Sequence, residues 1–281
     1  MPQPEAGRSS GSENVLPEEA RARIVALGFS EADAETLFSH FDDAERRGKR
    51  GHGYARIPWL ETLPDLDPSA RAKREFVAQS HEVWDGGGAL GYLTLSAICE
   101  AQLREPPDTS RLVVARRCFP TGVLGHYARR LAAGGLVALL SATSPARLAH
   151  PDGSAPLAGT NPLAIAIPSS DGRPVVVDVS PSKATWGEVL AGIASEEDVV
   201  PFGGDQAHKA FALALGLQLL VDALTPAAEA ARPRSGPVEG ARGNREVSPT
   251  YGAVLLVARP QADPVPALRA LAAGVRLPGD R

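Results

Sequence analysis

The chain is poor in cysteine: Cys99 and Cys118 are the only two in 281 residues. Two thiols cannot build the disulfide framework of a small secreted domain. It also lacks a basic block, and its formal net charge is -4, so nucleic acid is not an expected partner. No apolar run approaches the roughly 20 residues of a membrane span. Residues 1–16 are polar and carry no apolar segment of the secretory-signal kind, so they read as a disordered tail. Histidine, cysteine and acidic residues do not fall at metal-ligand spacing, so no metal is expected. The Gly-x-Gly-x-x-Gly fingerprint between a strand and a helix is missing too. Gly86-Gly87-Gly88 follows Asp85 but opens no such unit. What remains is a cytoplasmic protein that acts on a small molecule.

What is present is a globular composition, 43% hydrophobic and 22% charged, enough for one large or two modest domains. From Pro17 the pattern is helical. Ser30 with Asp33 reads as the N-cap of a helix running toward Arg47, and Gly48 to Gly53 as a turn. Phe76 to Trp84 reads as a strand. A helix is expected over Leu93–Leu103, a strand over Leu112–Cys118, a helix over Leu124–Ala133 and a strand over Leu136–Ala142. Later come a helix over Ala207–Leu224, a strand over Tyr251–Ala258 and a short helix over Val265–Val275. Pro226 to Ser248 is rich in Pro, Ala, Gly and Arg and reads as a loop. Helices alternating with strands predict an α/β protein.

The most informative stretch is GTNPLAIAIP, Gly159–Pro168, followed by VVVDVSPS with Asp178. Two apolar runs bounded by prolines and a Ser-Ser-Asp-Gly turn predict a strand pair. Thr160, Asn161, Asp178, Ser180 and Ser182 gather at its ends, where hydroxyls, an amide and a carboxylate meet a small ligand. GTNP, an apolar run and a buried strand closing on Asp-x-x-x-Ser resemble the type-2 malate/L-lactate dehydrogenase family. That family also holds sulfolactate and ureidoglycolate dehydrogenases and cyclic-imine reductases.

The resemblance implies a non-Rossmann fold with a mixed sheet and a helical N-terminal region. It implies a homodimer, NAD(P)H as cofactor and no membrane partner. Residues 17–110 with 250–281 would form the helical, substrate-side domain, and 111–225 a nucleotide-binding α/β domain, with 226–249 a flexible loop. His52 and Arg56 in GHGYAR match the family's Ser-His-Gly-x-x-Arg, where the histidine donates a proton and the arginine holds substrate. Gly51 replaces the serine and removes a hydroxyl. Taken alone, the pattern favours a loop histidine beside a surface arginine. Ser144, Thr160, Asn161, Asp178, Val179, Ser180 and Lys209 fall at the family's cofactor positions. Strand-end capping and turn hydrogen bonds are the plainer readings of Asp178 and the serines.

Three further departures stand out. In CFPTGVLGH the glycines Gly122 and Gly125 keep the register of a second family motif, but Pro120 occupies its histidine position. His126, six residues on, reads as an ordinary helix-surface histidine, His208 as solvent-exposed, and Cys118 as a buried strand residue. Ala210 replaces a glycine after Lys209, and a segment between Gly187 and Val200 is shortened. The expected activity is reduction of a C=O or C=N bond next to a carboxylate, with His52 as proton donor, or the reverse reaction. The alternative is a homologue that has lost redox chemistry and isomerises, cyclises or eliminates a small carboxylate-bearing substrate.

Overall fold

A computed structural model describes residues 15–153, 155–225 and 251–280. The expected tail, apart from Val15 and Leu16, and the expected loop over Pro226–Ser248 lie outside these residues. Three helices open the chain: α1 (Pro17–Ala26), α2 (Glu31–Arg46) and α3 (Ile57–Glu61). Ser30 caps α2, its hydroxyl accepting from the Asp33 backbone at 3.2 Å. Ile24, Leu37, Phe41, Ile57 and Leu60 pack these helices together, and Leu90 and Tyr92 join that core from the next part of the chain.

Seven strands form one mixed sheet, β1 (Lys73–Val77), β2 (His81–Asp85), β3 (Ser110–Arg116), β4 (Val137–Ala142), β5 (Leu163–Ile167), β6 (Val175–Val179) and β7 (Ala253–Ala258). Their order is β1-β2-β3-β7-β4-β5-β6; β2 and β3 pair in parallel and the other neighbours antiparallel. The strand expected over Phe76–Trp84 is two strands: Ala78–Ser80 turns the chain back, and the Ala78 amide donates to the His81 carbonyl at 2.8 Å. β7 bonds β3 on one side and β4 on the other, so the expected substrate-side and nucleotide-side segments share a single sheet.

α4 (Gly91–Arg104) and α5 (Leu124–Ala133) cover one face of the sheet, where Leu95, Ile98, Leu131, Val113, Leu255 and Val257 meet. Alternate strand residues point to opposite faces. Val114 and Val254 therefore face the other way, onto Val221 of α7 (Ala207–Leu224). Contrary to the expectation that no apolar run is long enough, the segment Gly204–Leu224 could cross a membrane by length and composition. Here it packs on the sheet, and one such helix is weak ground for a membrane. A short α6 (Trp186–Leu190) and a C-terminal α8 (Val265–Leu271) complete the helices among the described residues; α8 is shorter than the Val265–Val275 expected.

Candidate active site

Past the end of α2 the chain makes two single 3-10 turns, Arg50–His52 and Tyr54–Arg56, before entering α3. This sets His52 and Arg56 on one wall. α6 closes over them. Its start is fixed by a reciprocal cap: the Glu188 amide donates to the Thr185 hydroxyl at 3.4 Å, and the Thr185 amide to the Glu188 carboxylate at 2.7 Å. α6 sits so close to the turn that a Cβ on Gly51 would lie 2.6 Å from the Glu188 amide nitrogen. Glycine at position 51 is therefore the residue that admits α6, as well as a lost hydroxyl.

Two adjoining chambers meet at His52. One has a cavity volume of about 190 Å³ and is bounded by Arg56, Trp59, Tyr92, Pro120, Ser144, Arg147 and Trp186 among others. The second, about 210 Å³, is bounded by Lys49, Val123, Asp178, Ser180 and Glu188. His52, Gly122, Thr160, Pro162 and Thr185 belong to both.

Arg56 is only 6% exposed, and its guanidinium carbon lies 4.0 Å from the Trp59 ring centroid. Its Nε has no hydrogen-bond partner, and among the described residues it joins no ion pair. A buried arginine without a carboxylate is uncommon and costly. A second arginine, Arg147, also bounds the first chamber, its guanidinium carbon 3.5 Å from the Trp186 ring centroid. Burial, together with the nearby charges of Arg56 and Lys49, pushes the His52 imidazole down to about 4, with Glu188 opposing. Near neutral pH the free protein therefore holds His52 uncharged, suited to accept a proton. The expected role as standing proton donor requires a change in that field.

The other expected residues divide. Ser144, Thr160 and Ser180 bound the chambers and bond one another's strands: the Thr160 amide donates to the Ser144 hydroxyl at 3.2 Å, and the Ser180 hydroxyl to the Thr160 carbonyl at 2.9 Å. Asp178 bounds the second chamber, but its carboxylate already pairs with Lys49 and packs against Gly125 at the start of α5. Asn161 is turned inward: it is wholly buried, and its amide holds the Ser144 backbone, the Ala214 carbonyl and Gln218. It fastens the strand to α7. Val179 and Lys209 are exposed and bound neither chamber.

His126 departs from expectation. It is 8% exposed; its Nδ1 lies 3.2 Å from Asp43 and its ring 4.8 Å from that of His40. Burial raises the Asp43 pKa, yet the bond to His126 and the charges of Arg129 and Arg47 outweigh it and hold the carboxyl well below the usual range. His208 is exposed. Cys118 is buried, its thiol pushed up to about 12 by burial, which leaves it unreactive. Trp59, Tyr92, Arg147 and Trp186 were not anticipated. An Arg-x-x-Trp spacing over the α3 boundary could have flagged Trp59; the other three arrive from distant segments.

The family profile described as malate/L-lactate dehydrogenase matches residues 12–199. The chain is 31% identical over 175 residues to a (2R)-3-sulfolactate dehydrogenase (NADP(+)) of Chromohalobacter salexigens, covering 61% of this chain and 52% of that protein. It thus spans about half the length of that curated relative. In fold it is similar to malate dehydrogenase from Entamoeba histolytica, with a TM-score of 0.74 at 19% identity over 95% of this chain and 86% of that one. It is similar also to delta1-piperideine-2-carboxylate reductase from Pseudomonas syringae, at a TM-score of 0.72 and 24% identity over 94% and 89%. The chain belongs to the malate/L-lactate dehydrogenase family.

Proposed function

We propose that the protein is an NAD(P)H-dependent oxidoreductase. It reduces a C=O or C=N bond next to a carboxylate, or oxidises the product. The observation that carries this reading is Arg56: buried, stacked on Trp59, without an ion pair, and on the same wall as His52. A substrate carboxylate supplies the missing partner, and the planar fork binds it at two points. Arg147, which bounds the same chamber, favours a substrate with a second acidic group.

The chambers suit a nicotinamide nucleotide in part. The hydroxyls of Ser144, Thr160 and Ser180 and the Lys49–Asp178 pair would hold it. Bound there, the cofactor supplies the hydride. His52 moves the proton at the substrate oxygen or nitrogen. In the oxidative direction the neutral imidazole takes it directly. In the reductive direction a carboxylate on Arg56 offsets one of the charges that lower His52, so substrate binding itself favours the protonated ring. Trp59 and Trp186 keep water from the charged groups. Two copies would form the working unit, with the exposed leucines of α7 as the apolar face a second copy covers.

The non-redox reading keeps one specific support. Asp178 is already paired, Asn161 faces inward and Lys209 lies outside both chambers, so several expected nucleotide contacts are engaged or displaced. Consumption of NADPH and NADH should be followed with pyruvate, oxaloacetate, 3-sulfopyruvate and Δ1-piperideine-2-carboxylate. Turnover of at least one, lost by about 10²–10⁴-fold in His52→Ala with nucleotide affinity unchanged, supports the oxidoreductase. Equal turnover by the variant removes His52 from the mechanism.

A further inference from the structure

The second half of α2 brings His40 beneath the turn that follows β3. Its imidazole is 2% exposed and packs among rings, with those of His126, Tyr92 and Tyr127 at 4.8, 4.9 and 5.3 Å. Its Nε2 accepts a hydrogen bond from the Val123 amide at 3.1 Å. Gly122, just before that amide, has φ 65°, and a Cβ there would lie 2.3 Å from the same nitrogen. Position 122 is thus closed to a side chain, and the backbone of the turn comes down directly onto the ring.

Accepting from a backbone amide fixes the state of the imidazole. The lone pair must be at Nε2 and the proton at Nδ1, so the ring is neutral. Its surroundings keep it so: burial, with His126 and His52 nearby, pushes the imidazole well below its ordinary value, and Asp43 opposes. Asp43 is itself taken up by His126, Arg129 and Arg47, which ties α5 to α2. The Nδ1 of His40 has no partner, so the bond to Val123 is the ring's only one among the described residues. For packing alone this is a costly choice. A phenyl ring would fill such a space without burying an unpaired donor. What histidine adds at position 40 is the acceptor.

The turn held in this way is a wall of both chambers. Pro120, Thr121 and Gly122 bound the first, and Gly122 and Val123 the second. We propose that His40 is a positioning residue for both ligands of the site. Through the Val123 amide it fixes the turn Pro120–Val123 as the wall against which the substrate acid and the nucleotide seat, and it touches neither. The resemblance calls for a histidine on this turn, at position 120; in this chain the imidazole that governs the turn stands behind it, on α2. The inference rests on the oxidoreductase reading for the identity of the nucleotide, but its test does not require turnover.

Two variants separate the bond from the packing. His40→Gln keeps an acceptor and loses the ring; His40→Phe keeps an aromatic ring and loses the acceptor. Hydrogen exchange at the Val123 amide should be slow in the wild type and in His40→Gln, and faster in His40→Phe. Calorimetric titration of the full chain with oxalate, as an acid for Arg56, and with NADPH should show both affinities lowered in His40→Phe. The expected loss is roughly 2–10-fold, the worth of one hydrogen bond. His40→Gln should stay near the wild type. Affinities in His40→Phe equal to the wild type, a loss in His40→Gln as large as in His40→Phe, or a freely exchanging Val123 amide in the wild type would overturn the proposal. So would wild-type protein that binds neither probe. Oxalate discrimination with no NADPH binding would instead strike the redox reading and leave His40 in place.

Discussion

At the scale of single residues, the account turns on Arg56 and His52 and on how the one sets the charge of the other. His52 is held near 4 first by burial and then by the charges of Arg56 and Lys49. A histidine whose folded pKa is depressed loses its proton early as pH rises, and its neutral form persists through the neutral range. Removing Arg56 should therefore move it upward, toward the ordinary value near 6.5. NMR titration of the His52 ring should give about 4 in the wild type and a higher value in Arg56→Gln; oxalate should raise the wild-type value. Titration near 6.5 in both proteins, unaltered by oxalate, would mean that the ring is solvated and uncoupled from Arg56. The His52–Arg56 pair itself was legible, because both lie in one short motif. Tyr92 and Arg147 were not: a place on the chamber wall is a property of surroundings assembled from distant segments. The inward turn of Asn161 was not legible for the same reason. Its amide meets α7 across more than fifty residues of sequence, and nothing near it in the chain announces that contact.

At the scale of elements, the helices with clear punctuation were the legible ones. α5 and α7 fall where periodicity places them, and Ser30 starts α2. The β1–β2 hairpin was hidden because Phe76 and Val77, at the edge of the sheet, are exposed apolar residues that read as a continuation of the next strand. α6 was not read at all, being a single turn and a half fixed by the Thr185–Glu188 cap. Its contact with Gly51 gives a prediction at this scale. Gly51→Ala should force α6 away from the His52 turn, since the clash is with backbone and has no flexible end to yield. The expected cost is about 1–3 kcal/mol in urea denaturation. If the substitution proves benign, α6 does not rest on Gly51.

At the scale of the whole molecule, one sheet joins the helical N-terminal part to the strands that carry the GTNP segment, and the chambers lie where α2, α3, α6 and the ends of β4, β5 and β6 converge. On the far side, Leu213, Leu219, Leu220 and Leu224 leave much of α7 apolar and exposed. Leu219→Glu with Leu220→Glu should convert a dimer to a monomer in size-exclusion chromatography with light scattering; a wild type that is already monomeric contradicts the homodimer reading. The mixed α/β class and the family were legible because the strand pair around Pro162 and Pro168 and the His52 motif are local. The order of strands was not, since β7 enters the middle of the sheet from the end of the chain. The central claim, that these chambers serve nicotinamide chemistry, is tested most directly by fluorescence titration of the purified protein with NADPH and NADH. The account predicts saturable enhancement with at least one of them, weakened in Asp178→Ala. Folded protein that leaves the fluorescence of both nucleotides unchanged would contradict it and leave the non-redox reading in its place.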